Sequence, residues 1–477
     1  MPRSVEMEER LSASSLKFGT SGLRGLAVDL EGQATRRYVA AFLRHMAASG
    51  QGGGDRVLLG RDFRQSSPAV ARDCAAAIAA AGLVPVDCGT IATPALALHA
   101  MAAGCAAIMI TGSHIPADRN GLKFYLPGGE ISKTDEAGIL AALRDEVVPD
   151  LVGEMADEAG AAEARYVARF AGLLPDGALT GLRIGVFEHS TVARDLLTRI
   201  LRGFGAETVG LGRAEGFVAV DTEAFGGAVF APLAGWVAQY GLDAIVSADG
   251  DGDRPLLMDG GGQFVRGDVL GLITARYLGA QSVVTPVTSN SGIERTGAFS
   301  LVVRTRVGSP YVIEAMAAAT GAVIGFEANG GTFVGDNVKV AGVALPPLAT
   351  RDAVLPLLCV LGLAAAKGMS VAEVVAALPL QHALADRLQD VPSAKSAAFL
   401  ARLAGDADYA ARVFAPHGIA GLSQIDGLQF RTRSGDMVHF RASGNAPELR
   451  CYVEGSTPEV ARDLLDWGMA VAAREVG

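Results

Sequence analysis

The chain has 477 residues, 50% of them hydrophobic and 19% charged, with a formal net charge of -10. At roughly 100–200 residues per domain this is material for about three to five domains with ample cores, which excludes a disordered chain. The acidic balance, with no run of lysine or arginine, excludes the basic face that nucleic acid or anionic lipid would require, so neither nucleic acid nor membrane is expected as a partner.

The chain opens with a polar, acidic segment that lacks the apolar core of a signal peptide. Residues 35–48 carry a helical pattern. Residues 57–60 read as a buried strand, 61–67 as a polar turn and 68–81 as a helix ending at Gly82. Strands follow at 84–87 and 105–110, and the second runs directly into a polar loop at 111–120. The pattern then restarts with a strand at 182–187, a helix at 192–202 and a strand at 244–247. It restarts again with a strand at 282–287, a helix at 311–319 and a strand at 322–326. The last hundred residues differ. Strands are expected at 424–432, 437–441 and 450–453, before a helix at 457–473 with Thr457 as N-cap and Pro458 in its first position.

The fold class is therefore α/β, with three similar mixed α/β domains and a smaller α+β C-terminal domain. The boundaries are placed at 1–152, 153–258, 259–376 and 377–477. The most apolar stretch, 353–366, falls short of the roughly 20 residues needed to cross a bilayer. Cys74, Cys88, Cys105, Cys359 and Cys451 form no CxxC pair and read as reduced core thiols. A soluble cytoplasmic protein is expected.

In open α/β sheets, ligands sit beyond the carboxyl ends of the strands, and several loops there carry polar groups. In SADGDGDR (247–254), Asp249, Asp251 and Asp253 recur every second residue. Three carboxylates so close repel one another unless a cation intervenes, and hard oxygen ligands favour Mg²⁺ or Ca²⁺. Arg254 and Gly260 stand where an EF-hand needs Gly and Glu. Mg²⁺ prefers a few carboxylates plus a phosphate oxygen, and Arg254 can pair with phosphate. The bland alternative is an Asp/Gly-rich turn.

In TGSHIPADRNGLK (111–123), Ser113 is a candidate nucleophile or phosphate carrier, with His114 beside it and Lys123 ten residues on. The alternative is a turn or capping serine. In RASGNAPELR (441–450), Arg441, Ser443, Gly444, Asn445 and Arg450 fit around a phosphate dianion, or form a hairpin turn with incidental arginines. In GFEANGG (325–331), Glu327 and Asn329 suit vicinal sugar hydroxyls, or Glu327 pairs with a helix N-terminus. FGTSGLRG (18–25) and GRDFRQS (60–66) place arginines in tight turns, where structural ion pairs are the alternative. His45 and His99 fall in helical stretches and read as surface or packed side chains.

Taken in order, these loops resemble the α-D-phosphohexomutase family of phosphomannomutases, phosphoglucomutases and their relatives, over nearly the whole chain. FGTSGLRG opens the resemblance and GRDFRQSS is similar to GRDxRxSS. TGSHIPADRNGLKFY resembles the phosphoserine loop, usually TASHNPxxxNGxK. DGDGDRP matches the metal loop. GFEANGG stands where GExSGH is usual, and RASGNAPELRCYVE resembles RxSGTEPxxRxYxE.

The resemblance implies four domains around one cleft and a phosphotransferase isomerase that exchanges hexose 6-phosphate and hexose 1-phosphate through a bisphosphate. By that resemblance Ser113 carries the phosphoryl group, and Mg²⁺ is held by Asp249, Asp251, Asp253 and the phosphoserine. Arg441, Ser443, Gly444, Asn445 and Arg450 anchor the resident phosphate, while Glu327 and Asn329 hold sugar hydroxyls. Lys123 assists proton transfer, Arg24 lies near the transferring phosphate and His114 orients the serine. A hexose 1,6-bisphosphate activates the enzyme, and the chain is a monomer or homodimer. A mannose substrate comes first, glucose second and glucosamine third.

The departures are Gly112 for Ala, Ile115 for Asn, Asn329 for Ser, Gly331 for His, and Asn445 and Ala446 for Thr and Glu. With Gly331 in place of the imidazole, no general base is assigned in the sugar loop. A Mg²⁺-dependent phosphatase and a non-catalytic sugar-phosphate sensor are the competing classes.

Overall fold

The computed structural model describes residues 15–19, 21–151, 154–443 and 447–476. The expected first boundary, between Val152 and Gly153, lies outside the described residues.

Four large sheets follow one another along the chain. The first has eight strands: β1 (Lys17–Phe18), β2 (Leu23–Leu26), β3 (Arg56–Arg61), β4 (Val84–Thr90), β5 (Ala106–Ile110), β6 (Arg119–Leu126), β7 (Gly129–Glu130) and β8 (Ala156–Asp157). Strand β3 lies parallel between β4 and β5, β6 returns antiparallel along β5, and β2 pairs antiparallel with β6. The interior strands read as continuous apolar runs because helices cover both faces. Strand β5 is buried along its whole length.

The second sheet repeats this plan. It comprises β9 (Arg183–Phe187), β10 (Glu207–Leu211), β11 (Ala244–Ala248), β12 (Pro255–Asp259) and β13 (Phe264–Val265), in the order β10-β9-β11-β12-β13. The first three strands in that order are parallel and the next two antiparallel. The third sheet has β14 (Ser282–Pro286), β15 (Leu301–Thr305), β16 (Val323–Phe326), β17 (Thr332–Val334) and, after a small hairpin of β18 (Lys339–Val340) and β19 (Val343–Ala344), β20 (Leu348–Asp352). Its order, β15-β14-β16-β17-β20, is again three parallel strands followed by two antiparallel ones.

The repetition decides where chemistry can occur. In each unit the third parallel strand turns back into an antiparallel partner, and that turn carries a loop of interest. The β5–β6 turn holds Ser113, the β11–β12 turn holds the three aspartates, and the β16–β17 turn holds Glu327.

The fourth sheet is wholly antiparallel: β21 (His382–Leu388), β22 (Gly421–Ser423), β23 (Leu428–Arg431), β24 (Met437–Ala442) and β25 (Leu449–Gly455), in the order β21-β25-β24-β23-β22. Helices Ser393–Gly405 and Pro458–Val476 pack on it. Thr457 Oγ1 accepts from the Val460 amide over 3.3 Å, the expected cap.

One continuous core joins the first three units, running through helix Thr93–Ala103 and helix Val354–Lys367. The fourth unit has its own core around Phe399, Phe414 and Phe440. Its links to the third unit include polar ones. Asn290 Nδ2 donates to the Gln381 carbonyl, the Gln381 amide returns to Asn290 Oδ1, and the Ser291 amide donates to the Glu454 carboxylate. All five cysteines are free and buried, and no described helix is long and apolar enough to cross a membrane.

Three local expectations need correction. The loop expected at 111–120 ends early, because β6 starts at Arg119 and gains a hydrogen-bonded neighbour on each side. Residues 424–432 are not one strand, since a turn at 424–427 separates β22 from β23. Arg24 lies within β2 rather than in a tight turn. Helix Thr93–Ala103 carries no amphipathic signal because it is buried on most sides.

Candidate active site

The Ser113 loop is built on a buried arginine. Arg64 is 1% exposed and donates to the carbonyl oxygens of Ser113, Ile115, Pro116 and Arg119 over 2.6–3.0 Å. Its Nε pairs with Asp62 at 3.1 Å, and Thr111 Oγ1 donates to the same carboxylate oxygen. A Cβ on Gly112 would lie 2.7 Å from Arg64 Cζ, so glycine leaves room for the guanidinium. The expected alternative for GRDFRQS, a structural ion pair, is thus what Arg64 and Asp62 form, and a second joins Arg61 to Asp87 at 2.7 Å. Held this way, Ser113 takes a left-handed φ of 54°, a conformation costing about 1–3 kcal/mol for a non-glycine residue. Its side chain is buried, and Oγ donates to Asp249 Oδ2 over 2.5 Å. His114 Nδ1 lies 3.3 Å from Oγ. Burial, then the nearby Arg254 and Arg24 charges, hold the His114 imidazole well below its ordinary pKa, so it is neutral near pH 7.

Asp249, Asp251 and Asp253 are all buried, and each offers a carboxylate oxygen within 4.8 Å of the others. Lys123, brought in by β6, donates to Asp251 Oδ2 and Asp253 Oδ2, both at 2.5 Å. Burial works against the Lys123 charge, but the Asp251 and Asp253 carboxylates outweigh it and hold the ammonium protonated. Thr93 Oγ1 donates to Asp251 Oδ2 over 2.6 Å from the first turn of its helix. The Asp249 carboxyl is pushed well above the usual range by burial and by its two aspartate neighbours. For Asp251, burial is outweighed by Lys123 and the pKa falls. Asp251 Oδ1 and Asp253 Oδ1 are buried without a hydrogen-bond partner among the described residues. Unpaired buried carboxylate oxygens beside two further acids are the donor set a hard divalent cation takes. Arg254 is 8% exposed and lies 3.8–4.0 Å from Asp253, Glu223 and Asp249. Arg24 is pushed down to about 10 by burial and by the Arg254 charge.

In the third unit, Glu327 is 2% exposed and its Oε2 meets Arg351 Nε at 2.5 Å. Arg351 Nη1 lies 3.7 Å from Asp253 Oδ2. The expected alternative partner for Glu327, a helix N-terminus, is replaced by this arginine. Asn329 is 6% exposed and its Oδ1 accepts from the Gly331 amide over 2.9 Å, which commits one lone pair to the loop. Its carbonyl accepts from Thr222 Oγ1 of the second unit.

In the fourth unit, Arg441 and Arg450 face one another across β24 and β25. Arg387 on β21 stands opposite Arg450 in turn, so three arginines form a row on one face of the sheet. Arg441 Nε pairs with Asp426 at 2.8 Å, and Arg450 Nη2 with Glu448 at 3.0 Å. The Ser443 amide donates to the Glu448 carbonyl, closing the hairpin. Gly444 and Asn445 lie outside the described residues. Glu223 of the second unit is partly exposed and lies 3.9 Å from Arg254.

Ser113, His114, Lys123, Arg24, the three aspartates and Arg254 therefore converge, and Arg351 connects them to Glu327. Sequence reasoning missed Arg351, Thr93, Glu223 and Arg387. Each lies outside the glycine-rich loops, and none carries a local signal. The helical histidines pack as expected, His45 against Asp135 and His99 against Glu158. A cavity of 690 Å³ between the third and fourth units, lined by residues including Ser289, Arg304, Gln429 and Glu454, contains none of the converging groups.

Comparison with known proteins finds relatives along nearly the whole chain. Residues 15–147 match the phosphoglucomutase/phosphomannomutase alpha/beta/alpha domain I, and residues 266–381 match domain III. The chain is 49% identical over 467 residues to a phosphomannomutase of Sinorhizobium fredii, covering 95% of this chain and 98% of that one. It is 40% identical over 462 residues to a phosphomannomutase of Salmonella muenchen, covering 96% and 95%. The X-ray structure of a phosphoglucomutase/phosphomannomutase family protein from Burkholderia thailandensis matches with a TM-score of 0.77 at 21% identity, covering 96% of this chain and 98% of that one.

Proposed function

The chain belongs to the phosphoglucomutase/phosphomannomutase family and is a hexose phosphate mutase, and on that footing we propose that it interconverts mannose 6-phosphate and mannose 1-phosphate through a phosphorylated Ser113. The observation that carries the serine's role is the 2.5 Å contact of Ser113 Oγ with Asp249, inside a cluster of three buried aspartates and Lys123. The preference for mannose is supported by the two curated relatives.

In this reading the phosphoryl group resides on Ser113 Oγ. The free hydroxyl of the bound sugar phosphate attacks phosphorus, so a new O–P bond forms as the Oγ–P bond breaks; Oγ leaves with the bonding electron pair and takes up a proton as the attacking hydroxyl loses one, which regenerates the serine hydroxyl. The resulting bisphosphate turns end for end. Ser113 Oγ then attacks its other phosphorus and recovers a phosphoryl group, which releases the isomeric monophosphate.

Asp249, Asp251 and Asp253 would hold Mg²⁺ together with the phosphoserine, and the ion would offset charge on the transferring group. Lys123, Arg24 and Arg254 add fixed positive charge around the phosphoryl oxygens in a buried setting, where such charge is worth most. Neutral His114 fixes the Ser113 rotamer. Arg441, Ser443 and Arg450, with Gly444 and Asn445 between them, anchor the phosphate that does not react. The arginines already hold carboxylates, so an incoming dianion exchanges one anion for another. Glu327 and Asn329 grip hydroxyls near the middle of the ring, a hold that survives the turnover of the two ends. A hexose 1,6-bisphosphate would load Ser113 at the start.

The test is a mutase assay followed by phosphorus NMR, with Mg²⁺ and a trace of glucose 1,6-bisphosphate, offering mannose, glucose and glucosamine 1-phosphates separately. Conversion with the highest kcat/KM for the mannose substrate is expected, and Ser113→Ala should abolish turnover. A Ser113→Ala variant that still turns over would remove the phosphoserine from the mechanism, and a higher kcat/KM for glucose would reassign the substrate.

A further inference from the structure

Arg351 lies near the end of β20, next to the strand that carries the sugar-facing turn, since β17 pairs with β20 through Thr332 and Asp352. It is only 2% exposed, among the largest fully buried side chains of the molecule. Such a group needs a reason to be an arginine, because burying a charge is costly unless it is well paired. The reason is that one planar guanidinium reaches acids from two different units. Nε meets Glu327 Oε2 at 2.5 Å in the third unit, and Nη1 lies 3.7 Å from Asp253 Oδ2 in the second. A lysine would have to meet both acids from one nitrogen, whereas the guanidinium faces them with two different ones.

The neighbouring backbone is shaped to this side chain. A Cβ on Gly331 would lie 2.5 Å from Arg351 Cδ and 2.7 Å from its Cγ. The turn has no slack to move aside. The Glu327 amide donates to the Gly331 carbonyl over 3.1 Å, and the Gly331 amide donates to Asn329 Oδ1 over 2.9 Å. A side chain at 331 and Arg351 in this position exclude one another.

We propose that Arg351 is the positioning residue for the sugar-gripping carboxylate: it sets the orientation of Glu327 and ties it to Asp253, so that the hold on the sugar hydroxyls and the phosphoryl-transfer centre form one unit, with Gly331 providing the space. The proposal rests on Glu327 meeting sugar hydroxyls in the function proposed above.

A double-mutant cycle tests it, with two readouts. Binding of mannose 1-phosphate to the unphosphorylated full chain is measured by calorimetry, and kcat and KM are measured separately, for wild type, Arg351→Met, Glu327→Gln and the double variant. Each single change should weaken binding and raise KM by about tenfold or more, with kcat less affected, and the double variant should be no worse than about twofold beyond either single one. Arg351→Lys should recover part of the loss. Gly331→Ala should reproduce the Arg351→Met defect, and it supplies the answer where Arg351→Met folds poorly.

Additive losses would overturn the proposal. So would a lower Tm with unchanged binding, which is what a merely structural ion pair gives. A coupled binding cycle in a chain that turns over no hexose phosphate would leave this proposal standing and overturn the mutase reading instead.

Discussion

Arg64 Nη2 donates to the carbonyl oxygen of Ser113 over 3.0 Å, from a guanidinium that also binds the carbonyls of Ile115, Pro116 and Arg119. Ser113 is thus held in place by a buried residue 49 places earlier in the chain. Phe217 of the second unit stacks on the same guanidinium, 3.8 Å from ring centre to Cζ.

This arrangement predicts that Arg64→Met destabilises the protein by about 3–5 kcal/mol, because Asp62 is left as an unpaired buried charge and four carbonyls each lose a hydrogen bond. Gly112→Ala should cost about 1–3 kcal/mol by forcing the guanidinium aside, and it should lower kcat more than it raises KM. Denaturant unfolding and steady-state kinetics check both. A Gly112→Ala protein with wild-type kcat would show that the loop does not depend on that space.

Lys123 holds the Oδ2 atoms of Asp251 and Asp253 and leaves their Oδ1 atoms without a partner, so its ammonium and a divalent cation would compete for the charge of the same two carboxylates. In metal-free protein, Lys123→Met should cost about 3–5 kcal/mol, since the buried acids lose their main counter-charge. Saturating Mg²⁺ should return much of that stability, and the variant should bind Mg²⁺ more tightly than wild type while losing turnover. Thermal melts with EDTA and with Mg²⁺, beside calorimetric titration of the metal, read this directly. Weaker Mg²⁺ binding in the variant would contradict the competition.

The arginine row of the fourth unit makes Arg387 a third charge beside the 441–450 hairpin, the proposed phosphate anchor. Its side chain is half exposed and pairs with Glu448 at 3.4 Å, so its contribution is screened. Arg387→Ala should raise KM about two- to fivefold with kcat unchanged, the range of an exposed charge pair. Arg450→Ala should cost far more. Equal effects of the two substitutions would show that Arg387 belongs to the anchor itself.

Stability should fall on acidification through His439. This imidazole is fully buried, bonded to the Asp426 carbonyl at 2.6 Å, and pushed down to about 4, first by burial. The unfolded chain takes up the proton near pH 6.5 and the folded one refuses it until about pH 4. Its contribution is therefore complete above about pH 6.5, declines as pH falls toward 4, and amounts to about 3 kcal/mol. Tm measured from pH 7.5 to 4.5 should drop, and His439→Gln should flatten the drop relative to wild type. Parallel curves for the two proteins would refute the assignment.

The chemistry of this protein is largely legible in its sequence. Asp249, Asp251 and Asp253 are spaced so closely that their mutual repulsion demands positive charge wherever the loop ends up. Ser113 and Glu327 stand on polar loops directly after buried strands, and sequence alone predicts three repeated α/β units and a different fourth. These are local properties: alternation, apolar runs and turn residues act over a few positions. Arg351, Thr93 and Arg387 were not legible, nor was the hold of Arg64 on the Ser113 loop beyond its ion pair, because these roles depend on what lies across a sheet or a domain seam. Nothing near Arg351 in the chain indicates that its guanidinium will meet Glu327 on one side and Asp253 on the other. Nor does the spacing of Arg441 and Arg450 reveal a partner on β21. The tertiary structure decided these pairings: the same hairpin turn recurs in three units, packing brings the three turns to one place, and charges buried there are stable only when opposite ones are buried with them.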